Sequence, residues 1–410
     1  MDRALTKETL KKDLAEMKSA LEKKPFEAVL AEAQQQSNLL KNMTFEIAIT
    51  GRAGAGKSSF VNALRGMEDD EKGAAQTGVT ETTMVPQEYT HPTFPNFKIW
   101  DLPGIGTTKF NAKEYLKKVN FSKYDFFIII ASERFTEDDA NLALEIRKNK
   151  KKFYYVRSKV DIDIENYRRS KRINVEDTHE MMLCEKKTLD IIQKDCYDNL
   201  KALGESSPRV FLISRWDLSK YDFPLLQETI EQEQDEIKRD VLTMCLPILT
   251  KDSIKKKKAA MESLIWKNAM VSCSVGLIPL PFLSLGCDIA IVAVTMRDIC
   301  KVFGLDEDSL NMLANRVGKP VEELKSVIEH TPSPGKITAE FVMDVLKRSV
   351  IWGAITAVEL VVGFIPVLGS IYGGGSSFAT TFCLLKNFLE NAVKDAEKVL
   401  AKAAEPKRRK

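Results

Sequence analysis

The chain has 410 residues and carries 61 Lys and Arg against 58 Asp and Glu, a formal net charge of +3. With 44% hydrophobic and 29% charged residues it sits near the globular average, which argues against a disordered, collagen-like or polytopic membrane chain. So small a basic excess also argues against a nucleic-acid binder, and the length, at about 150 residues per domain, predicts two or three domains.

In chain order, the opening residues Met1–Leu5 lack the apolar core of a secretion signal. Asp2 stands where N-myristoylation requires glycine, so a cytoplasmic chain without that lipid is expected. Seven dispersed cysteines with no CxxC pair agree with a reducing compartment. Leu10, Leu14, Met17 and Leu21 step by 4, 3 and 4, one apolar stripe on a helix. Pro25 suits the first turn of a second helix. Residues 1–42 are therefore expected to form a helical module completed by later parts of the chain.

Residues 43–235 change character. Short apolar runs recur at Phe45–Ile49, Phe97–Trp100, Tyr124–Ala131, Phe153–Val156 and Val210–Ile213. Helical patterns such as Glu137–Lys148 and Lys186–Leu203 separate several of them. That alternation predicts an α/β domain with a mostly parallel sheet covered by helices on both faces. From 236 to 410 only helical patterns remain, with starts at Asp306 and Pro320 and a break at Thr331–Gly335. A second, all-α domain is expected there. Ala269–Cys287 and Leu360–Leu385 carry no charge, and the latter is 26 residues long, enough to span a bilayer. Gly363, Pro366, Gly369 and Gly373–Gly375 interrupt it, so a buried helical hairpin is expected, with membrane insertion as the alternative. Lys255–Lys258 is read as an exposed helix face and Lys407–Lys410 as a solvated basic tail.

Gly51-Arg52-Ala53-Gly54-Ala55-Gly56-Lys57-Ser58 follows the first apolar run and precedes a helical pattern. This is G-x-x-x-x-G-K-[ST], in which glycines turn backbone N–H groups inward around phosphates at a helix N-terminus. Gly51, Gly54, Ala55, Gly56, Lys57, Ser58 and Ser59 are assigned to that cradle. Lys57 would neutralise the terminal phosphates and Ser58 would offer its hydroxyl to Mg²⁺. Asp101-Leu102-Pro103-Gly104 closes a predicted strand; Asp101 would hold Mg²⁺ through water, and the Gly104 N–H would face the last phosphate. Between the two motifs, Thr80, Thr82 and Thr83 compete to complete the metal shell, with Thr83 favoured.

Ser158-Lys159-Val160-Asp161 follows a strand, where a guanine reader shows [N/T]-K-x-D. Asp161 would accept from guanine N1–H and N2–H₂, which adenine does not supply, while the Lys159 stem covers the ring. Ser158 lacks the amide donor of the usual Asn, which puts some bracing of the loop in question. Ser214 stands where a backbone N–H would approach guanine O6. Ile105 occupies the place where small GTPases carry a water-orienting Gln. Catalysis then needs another group, and Glu81 and Arg134 are the candidates.

Gly51–Ser58, Asp101–Gly106, Lys72–Met84, Ser158–Asp161 and Tyr221–Pro224 together resemble the interferon-inducible immunity-related GTPase family, most clearly over residues 45–245. The resemblance implies a Ras-like G domain inserted into a helical domain built from both chain ends. It implies binding of GTP and GDP with Mg²⁺, and GTP hydrolysis accelerated by G-domain dimerisation, with Glu81 and Arg134 at the interface. It further implies self-assembly and peripheral, reversible association with intracellular membranes, those of pathogen-containing vacuoles above all, in cell-autonomous innate immunity. Regulatory GTPases of the same family are implied partners. Lys57 groups the chain with the hydrolysing members. A nucleotide-dependent switch that recruits membrane partners with negligible hydrolysis is the alternative.

Overall fold

The computed structural model describes residues 35, 43–78, 83–91, 94–105, 111–275, 283–345 and 374–405. The helices expected before residue 43, the basic tail and residues 360–373 of the second apolar segment lie outside these. The chain divides into two compact units, with the break between Leu249 and Thr250.

The first unit is built on a six-stranded sheet of order β2-β3-β1-β4-β5-β6. Its strands are β1 (Phe45–Gly51), β2 (Gln87–Thr90), β3 (Phe97–Asp101), β4 (Phe126–Ala131), β5 (Lys152–Arg157) and β6 (Val210–Leu212). β1 pairs in parallel with β3 and β4, and β4, β5 and β6 continue in parallel. Only β2 runs antiparallel, on β3. Every residue of β4 is buried, because successive side chains point to opposite faces and helices cover both. On one face Ala48, Phe127, Ile129 and Tyr155 pack with Leu116, Leu142, Ile146 and Leu200 from the helices. On the other, Phe45 stacks on Phe97, and Phe126 meets Phe45 and Tyr154 edge-on.

The helices of this unit are α1 (Lys57–Arg65), α2 (Ala112–Lys118), α3 (Glu137–Lys148), α4 (Val160–Lys171), α5 (Thr178–Ala202), α6 (Phe223–Gln232) and α7 (Glu236–Cys245). α3 has the bounds its sequence pattern predicts, set by a capping box in which Thr136 and Asp139 bond each other's backbone N–H. α5 begins eight residues before the expected Lys186, where the Asp177 side chain accepts from the N–H groups of His179 and Glu180. Both sheet edges carry features that discourage further pairing. β2 has four residues, mostly exposed and polar, with Glu88 paired to Lys98 at 2.9 Å. On β6, Asp222 takes the Leu212 N–H at 2.9 Å and returns its own N–H to the Leu212 carbonyl.

The domain boundary expected after residue 235 moves to residue 249. α7 stays with the sheet because Lys238 Nζ reaches Asp125 at 2.7 Å. In the second unit, α8 (Lys251–Val275), α9 (Leu283–Val302), α10 (Glu307–Val317), α11 (Val321–Lys325) and α12 (Gly374–Ala404) follow. Asp306 and Pro320 begin α10 and α11 as expected. α8 and α12 are joined by Lys258–Glu390 at 2.7 Å and Lys386–Glu262 at 2.5 Å. The 255–258 run is therefore not one exposed face: Lys257 is buried and Lys258 bridges to α12. No described helix is long and apolar enough to cross a membrane.

Candidate functional site

The chain leaves β1 between β3 and β4, which continue the sheet in opposite directions. Strand carboxyl ends at such a switch point form the crevice where α/β sheets bind ligands, and residues 51–58 lie there. Gly51 has φ 137°, and a Cβ on it would sit 2.0 Å from the Ile130 carbonyl oxygen. Gly54 and Gly56 are left-handed, at φ 74° and 92°, a conformation that glycine adopts without strain. Gly56 caps α1 with no side-chain hydrogen bond, leaving the first-turn N–H groups as donors for an anion. Lys57 is 7% exposed, and its Nζ donates to the Arg52 carbonyl at 3.1 Å, folded over the loop. Ser59 turns its hydroxyl toward Asp69 at 3.4 Å, so its backbone N–H is what it offers a phosphate.

Three of the predicted residues meet beside this loop. Ser58 Oγ donates to Asp101 Oδ2 at 2.6 Å and Thr83 Oγ1 to the same oxygen at 3.0 Å. Asp101 is fully buried, and its Oδ1 has no hydrogen-bond partner among the described residues. Burial pushes the carboxyl above its ordinary range, against the pull of Ser58, Lys57 and Thr83. A buried carboxylate with an orphaned oxygen and two hydroxyls fits a hard cation that takes oxygen ligands, as Mg²⁺ does. Of the competing threonines, Thr80 and Thr82 lie outside the described residues, as does Glu81.

The D-x-x-G segment is held against the phosphate loop. Leu102 N–H donates to the Ile49 carbonyl at 3.0 Å, and Ile105 N–H to that of Gly51 at 3.1 Å. This leaves Gly104 half-buried on the loop between them. A brace that sequence reasoning missed is Tyr115 on α2. Its hydroxyl donates to the Pro103 carbonyl at 3.0 Å and shares a hydrogen bond with Thr50 Oγ1 at 2.8 Å. Burial raises this phenol far above its usual pKa, so it stays a neutral donor. Nothing local in the sequence marks it. Ile105 is 2% exposed and part of the core, turned away from the crevice.

On the base side, Lys159 is left-handed at φ 59°, and its Nζ donates to the Gly54 carbonyl at 2.8 Å. Its stem thus spans the gap between the two motifs. Ser158 Oγ reaches the Ala55 carbonyl at 2.7 Å and that of Ala131 at 3.2 Å, so a serine hydroxyl does brace the loop here. Asp161 lies in the first turn of α4, half-buried, with no hydrogen bond among the described residues. Ser214 is buried and accepts from the Trp216 N–H at 3.3 Å, and Val160 N–H donates to the Ile213 carbonyl at 3.3 Å, tying the two base-side loops together. Arg134 is exposed on the loop after β4, with no ion pair among the described residues. The neighbouring Glu133 pairs with Arg52 of the phosphate loop at 3.6 Å.

Residues 10–403 match the model of a family described as Interferon-inducible GTPase (IIGP). Interferon-inducible GTPase 5 of Rattus norvegicus is 36% identical over 395 residues, which cover 96% of this chain and 83% of that protein. Interferon-gamma-inducible GTPase 10 of Mus musculus is 34% identical, over 96% of this chain and 89% of its own length. Immunity-related GTPase family M protein 1 of Mus musculus is 33% identical over 70% of this chain and 64% of its own. A match that runs through the sheet unit and on through the helical one places this chain in the interferon-inducible GTPase family, as a GTPase whose G domain is the sheet unit described above.

Proposed function

We propose that the chain binds GTP in the crevice after β1 and hydrolyses it to GDP and phosphate, faster when a second copy docks on the nucleotide face. The observation that carries this reading is the convergence of Ser58 and Thr83 on Asp101 beside the Lys57 loop. The backbone N–H groups of the loop and of the first turn of α1 receive the phosphates, and Lys57 balances their charge. Ser58, Thr83 and Asp101 would hold Mg²⁺, which when bound neutralises charge on the outer phosphate oxygens. Asp161 selects guanine, with the Lys159 stem along the ring and the Ser214 backbone at its far edge.

Water positioning falls to a group outside this crevice. Ile105 has no polar atom to offer and is buried in the core. Arg134 is exposed on the loop after β4, with no ion pair among the described residues. Met84, Val85 and Trp216 on loops around the crevice and Ile162 in the first turn of α4 are all at least half exposed, apolar surface that a monomer gains by covering. We assign Arg134 and Glu81 to the interface between two copies. The membrane role, at intracellular membranes including pathogen-containing vacuoles and alongside regulatory GTPases of the family, is proposed as peripheral and reversible. The second reading, a GTP-dependent switch with negligible hydrolysis, draws on the burial of Ile105.

One experiment separates the two: affinity for GTP, GDP and ATP, then phosphate release per molecule against protein concentration. The reading expects GTP and GDP to bind, ATP not to compete, and release per molecule to rise with concentration. Release near zero at every concentration leaves only the switch, and equal binding of ATP overturns both.

A further inference from the structure

Arg215 follows the base-side residue Ser214, yet its side chain points away from the base loop and back to the stretch after α1. Its Nη2 meets Glu68 Oε2 at 3.1 Å and its Nη1 bonds Asp69 Oδ2. A planar guanidinium matches two neighbouring carboxylates in a way an ammonium does not. The three side chains are only 21%, 27% and 23% exposed, so solvent screens them far less than an ordinary surface pair.

Asp69 is a hub. Asn62 Nδ2 of α1 donates to its Oδ1 at 2.7 Å, and Ser59 Oγ of the same helix approaches Oδ2 at 3.4 Å. Asn62 is fully buried and grips the chain further on, receiving the Ala75 N–H at 2.6 Å and donating to the Ala75 carbonyl at 3.0 Å. A continuous set of polar contacts therefore runs from the base loop through Arg215 and Asp69 to the phosphate-loop helix, and on to Ala75. Nothing in the phosphate or base motifs accounts for these residues.

We propose that Arg215 is a positioning residue, a latch that ties the base loop to the stretch after α1 and so sets how long guanine nucleotide stays bound. The inference rests on the GTP-binding reading above and deepens it. With the latch closed, the loop carrying Ser214 cannot swing out without breaking two charge-assisted hydrogen bonds. Opening it frees the base edge while leaving the phosphate cradle in place.

The test follows release of a fluorescent GDP from the full-length protein after a chase with excess unlabelled GDP, alongside a thermal melt. Arg215→Ala is expected to speed release by about tenfold or more, tenfold being the low end for one charge-assisted hydrogen bond. Arg215→Lys recovers part of the loss, because an ammonium reaches one carboxylate and not both. Asp69→Asn keeps the shape and the bond from Asn62, so it holds the fold should Arg215→Ala fail to, and it also speeds release. The double variant releases no faster than the worse single one, since both changes break the same link. Release at the wild-type rate in both single variants, or effects that simply add, overturns the latch. A wild-type protein that holds no guanine nucleotide overturns the binding reading as well, which distinguishes the two failures.

Discussion

Gly51 shows how narrowly a single residue is specified. Its φ of 137° and the 2.0 Å approach of the Ile130 carbonyl exclude any side chain while β1 and β4 remain paired. Gly51→Ala is expected to cost about 3 kcal/mol or more, through strain and a displaced strand, read as a fall in thermal midpoint. Lys57→Ala leaves the phosphates with backbone donors alone, so titration should find GTP affinity reduced by two orders of magnitude or about that. Ile105 gives a result opposite to a motif-based expectation. Ile105→Gln places an amide at a site 2% exposed, so stability should drop by about 1–3 kcal/mol. Phosphate release by the monomer should not rise, because the new side chain would point into the core. A rise would show that the residue reaches the crevice. The Ser58–Asp101 pair was legible because both residues sit in motifs whose chemistry is known. Tyr115 was not, because its two hydrogen-bond partners, Thr50 and Pro103, come from parts of the chain that only the tertiary fold brings to it.

At the scale of elements, α12 is pinned to the turn before the 334–336 stretch by one carboxylate. Asp395 is fully buried and accepts from the N–H groups of Glu329, His330 and Thr331 at 3.2, 3.0 and 2.8 Å, with His330 Nδ1 at 3.0 Å. Burial alone would raise its pKa, but these hydrogen bonds outweigh it and hold the carboxyl below its ordinary range. A depressed folded pKa contributes stability that is present above the unfolded value, about 3.9, and is lost as pH falls below it. The melting temperature of the protein should therefore decline on acidification below about pH 4. Asp395→Asn should lower it at neutral pH and flatten that decline; an unchanged acid limb would remove Asp395 from the account. Element types came readily from the sequence where period and cap agree, as at α3. The start of α5 did not, because Thr178–Glu185 lacks a regular apolar step and only the Asp177 cap marks it. The boundary after 235 failed for a related reason. α7 reads like the helices that follow it, and tertiary contacts such as Lys238–Asp125 and Lys238 over the Phe45 ring assign it to the sheet.

At the scale of the whole molecule, we propose that the catalytic group comes from a neighbour. Mixing equal amounts of wild-type protein and Arg134→Ala at fixed total concentration should give phosphate release below that of wild type alone, and Arg134→Ala by itself the least. Equal release from all three samples would place the catalytic group elsewhere. The two units fold by different logic, a sheet whose strands pair across the sequence and a helical unit whose long helices α8 and α12 are joined by Lys258–Glu390 and Lys386–Glu262. The first was legible as alternating strands and helices. The second was legible only as helix, since the partner of each helix is not written in its own period.

The rims of the sheet carry one more consequence. β2 is short and polar, and Asp222 occupies the outward Leu212 N–H of β6, features that discourage pairing with the border of a sister chain. A continuous ribbon of strands running through successive copies is thereby disfavoured. The assembly of copies proposed above would then rest on side-chain contacts and not on strand pairing.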